Sequence, residues 1–127
     1  MANPASFTIN ELSRNSSIAQ PAVQTVDTTG TVNCPAAGKT SRLIFELINA
    51  AAAKIDVTFK AGTSGAAIQS KDLKITLDET GGTMPKAIVG PFESSQFMKA
   101  DGSIDVLFTP ASGSPNVTVR AYRLPKA

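Results

Sequence analysis

Ile55-Asp56-Val57-Thr58-Phe59-Lys60 is the stretch that decides the fold. Apolar and polar residues alternate strictly along it, and two of its three apolar positions are β-branched. Period two places Ile55, Val57 and Phe59 on one face of a half-buried strand. This reading settles the segment before it. Leu43-Ile44-Phe45-Glu46-Leu47-Ile48-Asn49 is almost continuously apolar. Leu43, Leu47, Ile48, Ala51 and Ile55 also fit helical spacing, and the alanines at 50–53 favour a helix. With a strand starting at Ile55, Leu43 to Asn49 reads as a buried strand and Asn49 to Lys54 as the connection. A helix is the alternative.

The same pattern continues downstream. Gly62-Thr63-Ser64-Gly65 makes a flexible turn. Leu73, Ile75 and Leu77 alternate with Lys74, Thr76 and Asp78, and Glu79-Thr80-Gly81-Gly82 supplies turn glycines. Lys86 to Phe92 is extended as far as Gly90-Pro91. Asp101-Gly102 offers the positive φ values that hairpin turns prefer. Ile104, Val106 and Phe108 form a further strand, and Val117, Val119 and Ala121 the last. Upstream, Val23 to Val26 and Thr31 to Pro35 are short extended pieces. Turn signals at short, regular intervals predict an all-β domain, a β-sandwich or a jelly-roll-like barrel. It spans residues 22–127. Residues 1–21 are polar and mixed, with a weak alternation at Phe7, Ile9 and Leu12. They read as an extended N-terminal arm or edge strand, with a frayed terminus as the alternative.

Composition bounds the function. The 127 residues fit one domain. Charged residues make up 17% of the chain, against about 25% in typical globular proteins. The net charge of +2 is small and scattered, which predicts neither a nucleic-acid nor a membrane partner. There is no histidine, so a Ser-His-Asp triad, a Cys-His dyad and histidine metal ligands are all excluded. The single cysteine, Cys34, has no disulfide partner in the chain and reads as a small buried hydrophobe. The start of the chain has no basic region followed by an apolar one, so folding in a cytoplasm is expected.

The fragments that resemble chemical motifs have simpler readings. Gly38-Lys39-Thr40 looks like the end of a phosphate-binding loop. That pattern requires glycine where Asn33 stands and a helix after the threonine, where a strand is expected. Asp101 and Asp105 lack the spacing of a calcium loop. Asn15-Ser16-Ser17 and Asn116-Val117-Thr118 match glycosylation acceptors by chance. Phe92 and Phe97 read as core rather than interface. No catalytic residue, cofactor or metal is expected.

Four runs carry a resemblance. They are Ile55-Asp56-Val57-Thr58-Phe59-Lys60-Ala61-Gly62, Gly90-Pro91-Phe92-Glu93-Ser94-Ser95-Gln96-Phe97, Ala100-Asp101-Gly102-Ser103-Ile104 and Arg120-Ala121-Tyr122-Arg123-Leu124-Pro125. In this order they resemble a group of small tailed-bacteriophage proteins encoded among head structural genes. The likeness covers roughly Leu43 to Lys126. It implies a virion component without enzymatic activity, a capsid decoration (cement) protein on the outer surface of the head. Its implied partner is the phage major capsid protein, and by analogy it would be a homotrimer at local threefold positions. A head–tail connector, a tail component or a host-carbohydrate adhesin are the alternatives. The arm around Phe7, Ile9 and Leu12 is the candidate capsid contact, because its apolar residues lie outside the clear strand pattern.

Overall fold

Among the described residues, nine strands follow one another: β1 (Ile9–Glu11), β2 (Gln24–Val26), β3 (Gly30–Cys34), β4 (Leu43–Asn49), β5 (Ile55–Phe59), β6 (Leu73–Leu77), β7 (Lys86–Val89), β8 (Ile104–Pro110) and β9 (Val117–Arg123). This is a computed structural model, and it describes residues 3–4, 6–15, 17–35, 42–61, 72–92, 97, 99 and 102–125. The Gly38-Lys39-Thr40 fragment, the turn at Gly62 and Asp101 lie outside the described residues.

The strands form two sheets. One is five-stranded, with β9 beside β4 and β4 beside β7, and with β1 and β2 both on the other edge of β9. The second has the order β3-β8-β5-β6. Pairs β2·β9, β3·β8, β4·β7 and β5·β6 are the rungs of one long antiparallel hairpin. Pairs β4·β9 and β5·β8 then close it into a roll. This is jelly-roll winding, laid out as an open sandwich whose sheets do not join into a closed barrel.

Alternation explains the layers. β4 and β5 bury every second residue, and so do β8 and β9 over most of their length. Phe45 of β4 meets Phe59 of β5 across the interior, with ring centroids 5.2 Å apart. Phe92 stacks on Phe59 at 4.9 Å and Phe97 on Phe92 at 5.4 Å, so both belong to the core. The segment Leu43–Asn49 is a strand, and the alanines after it form the bend into β5. A helix there would have turned Ile44 and Ile48 away from their partners in β9, Tyr122 and Thr118.

One buried polar side chain holds the bend. Asn49 is 2% exposed. Its Nδ2 donates to Ala53 O and Asp78 O, and its Oδ1 accepts from Ala51 N, at 2.9–3.0 Å. Three loop groups that would otherwise be unsatisfied near the core are thereby paired.

Candidate functional site

The sandwich has two open sides, and the chain treats them differently. On one side lie β2 and β3, joined by the short step 27–29. The N-terminal segment crosses this side. Ser6 pairs with Asn33 on the free edge of β3, and Phe7 N donates to Asn33 O at 2.9 Å. Two residues later the chain has reached the other sheet, where Ile9–Glu11 run parallel to Ala121–Arg123 of β9. Side-chain amides fasten the crossing. Gln24 accepts from Thr8 N at 2.7 Å and donates to Ser6 O at 3.2 Å. Asn3 accepts from the amides of Asp27 and Thr28 at 2.9 Å, and Asn10 donates to Ala121 O at 2.9 Å.

Phe7 points inward from this crossing. It is 1% exposed and meets Phe45 and Phe108 edge-on, with centroids 5.9 and 6.0 Å away. Ile9 is half-buried against the core, and Leu12 is half-buried with its amide on Arg123 O. Phe7, Ile9 and Leu12, the candidate capsid contacts, are therefore also parts of their own domain's packing. Their apolar surface already has partners, because the crossing closes the gap between β3 and β9. Of the two readings of residues 1–21, the edge strand is the one the described residues adopt.

A cleft of about 250 Å³ lies where β1 and β2 meet end to end along β9. Its polar groups are engaged. Gln24 and Asn10 make the bonds just described, while Arg120 donates to Pro21 O at 2.8 Å and pairs with Glu46 at 2.5 Å. The cleft is a structural joint, with no polar side chain turned toward a ligand.

The opposite side is bounded by β6 and β7, joined through residues 78–85. Among the described residues no strand crosses it. Three of the five exposed large apolar residues are here: Leu73 at 39%, Met84 at 44% and Ile88 at 73%. Strand β6 is less buried than its neighbour β5: Leu77 is buried, Ile75 packs partly against the core and Leu73 is exposed. On β7 the inward residues are Ala87 and Val89, so Lys86 and Ile88 project outward. With Glu46 and Ile48 of β4 they shape an open, mostly apolar groove of about 420 Å³.

No chemical centre competes with this surface among the described residues. No three His, Cys, Asp or Glu side chains converge there as metal ligands. Asp105 is held by Lys99 at 3.1 Å and by Asn33 at 2.9 Å. Cys34 has no exposed surface, and burial pushes its thiol up to about 12, against the opposing charge of Arg123. Among the described residues no helix is long and apolar enough to cross a membrane.

Sequence reasoning missed the β6/β7 side. Its signal is Lys86-Ala87-Ile88-Val89, where alternation is present but its phase is hidden. Ala87 is too small to announce the inward face, so the tetrapeptide does not tell which of Ile88 and Val89 points inward. Comparison with protein families, curated proteins and solved structures finds no match.

Proposed function

We propose that this chain is a structural protein of a tailed-phage virion, a capsid decoration protein that binds the outside of the assembled head and stabilises it. Its partner is the major capsid protein. The reading is supported by the resemblance carried by the four runs between Leu43 and Lys126. One observation in the structure favours a binding role: Leu73, Met84 and Ile88, on or between the edge strands β6 and β7, are large apolar residues exposed to solvent. Jelly-roll sandwiches recur in viral capsid and lectin domains, which is fold-level analogy and supports the class alone.

The physics needs no catalysis. A protein that binds the assembled lattice and not free subunits shifts the assembly equilibrium by mass action. A rigid sandwich with a small net charge does this through apolar contact and shape.

The test is co-sedimentation of purified protein with expanded capsids, scored beside localisation on particles by electron microscopy. Saturable binding over the head surface is expected, weakened by Leu73→Glu together with Met84→Glu. Folded protein that binds no capsid, or that appears only at the tail or the vertex, would overturn the reading.

A further inference from the structure

We propose that the free edge of β7 pairs with β7 of a second copy, antiparallel and two-fold, so that two five-stranded sheets run on as one. The inference rests on reading the β6/β7 side as a contact surface. It gives the β7 half to a second copy and leaves the β6 half, with Leu73, for the lattice.

The hydrogen-bond phase of β7 is set by its other neighbour. Asn49 N donates to Pro85 O at 2.7 Å. Bonded and non-bonded pairs alternate along an antiparallel ladder. In the β4·β7 register, Leu47·Ala87 and Phe45·Val89 are then the bonded pairs, while Ile48·Lys86 and Glu46·Ile88 are not. The amides and carbonyls of Lys86 and Ile88 therefore point away from β4, over the free edge. Both residues are exposed, and among the described residues no loop or turn bond occupies these groups.

A two-fold axis at Ala87 sets Lys86 opposite Ile88 of the second copy, and Ile88 opposite its Lys86. Each such pair exchanges both backbone bonds, four in all. Other registers fail. An axis at Lys86 opposes two ammonium groups, which is destabilising. An axis at Ile88 brings Lys86 against Gly90, whose φ of +119° takes it out of strand geometry.

Charge and apolar surface agree with the axis at Ala87. Glu46 stands beside Ile88 in the β4·β7 register. Each Lys86 would therefore lie over Ile88 of the second copy with that copy's Glu46 one strand further on. Strands are spaced about 4.8 Å apart, so the lysine stem covers the isoleucine and its ammonium reaches the carboxylate. Among the described residues Lys86 has no ion-pair partner in its own chain. The Lys86 stem of the second copy would then lie along the rim of the groove of about 420 Å³.

The test is the mass of the free protein by light scattering, from about 10 µM to about 1 mM, the range in which a small interface associates. A dimer is expected. Ile88→Lys sets lysine against Lys86 across the axis and gives a monomer with an unchanged circular dichroism spectrum. Adding Lys86→Glu restores opposite charges and the dimer. Should Ile88→Lys unfold, Ala87→Cys reads the axis directly, because non-bonded partners lie about 4.5 Å apart at Cα, within disulfide range. A cross-linked dimer then supports the axis and its absence overturns it. A monomeric wild type, a trimer, or a dimer indifferent to these charges also overturns the proposal. The trimer implied by the resemblance is thus an opposing outcome. Because no capsid is present, a dimer that binds no head refutes the decoration reading alone, and a head-binding monomer refutes the pairing alone.

Discussion

Cys34 shows how a residue without chemistry still leaves a measurable signature. It lies at the end of β3 with no exposed surface, and burial raises its thiol from 9.0 to about 12. The folded chain therefore holds a proton that the unfolded chain loses above pH 9.0. Stability from this group is complete below that pH and is lost as pH rises toward about 12. In urea unfolding, the wild type should lose up to about 1.4 kcal/mol per pH unit more than Cys34→Ala across this window. Parallel pH profiles would count against the account. A thiol reagent at neutral pH should label Cys34 only at the rate of unfolding. Asn49 is the complementary case, a buried polar group fully engaged. Asn49→Ala leaves Ala51 N, Ala53 O and Asp78 O without their partner. A loss of about 2–3 kcal/mol is expected. Asn49→Asp should cost more at neutral pH, because a carboxylate cannot donate to two carbonyls.

The N-terminal segment behaves as an element of the sandwich. Removing residues 1–13 deletes β1, the Asn33 bridge and the Phe7 ring between Phe45 and Phe108. Phe7→Ala alone should cost about 3–5 kcal/mol. Whole domains hold only about 5–15 kcal/mol. The truncated chain should therefore lose its cooperative thermal transition, and a truncated domain of unchanged melting temperature would refute the crossing. The strands from Ile55 onward were legible because alternation is local, and β5, β6, β8 and β9 each carry it in their own residues. The role of the arm was not. β1 is three residues long and its partner is the last strand, so no neighbour in sequence reveals the pairing. Turn chemistry was legible where connectivity was not. Gly102 has the positive φ expected of it, and Gly102 N donates to Lys99 O, yet β8 pairs with β3 and β5 and not with β7. Rolling a long hairpin makes each partner distant in sequence, and only compaction decides which edges meet. The β6/β7 side followed the same rule: Ile88 is exposed because it lies on the outward face of β7, and which face is outward is a property of the sheet and not of the tetrapeptide.

At the scale of the whole molecule, the two open sides divide the work. The chain's own N-terminal segment closes one, and among the described residues no strand closes the other. If β7 takes a second copy and the β6 half takes the lattice, each particle-bound unit carries two lattice contacts held in fixed relation. The second contact then forms at the effective concentration set by the first, and avidity of about 10²–10⁴ over one contact becomes available. The monomeric Ile88→Lys variant keeps the β6 contact and loses this multiplication. Its half-saturation on expanded capsids should move up by a factor in that range, while occupancy at saturation reaches the wild-type level. Restoring the dimer with Lys86→Glu should restore the wild-type half-saturation. The contact is apolar and the chain's net charge is only +2, so both curves should shift little with salt. A titration by co-sedimentation measures all three variants together. Equal half-saturation for monomer and dimer would mean that one contact already carries the affinity, or that the lattice spacing prevents both sites of a dimer from engaging. In either event the two-fold unit would have no part in holding the head together.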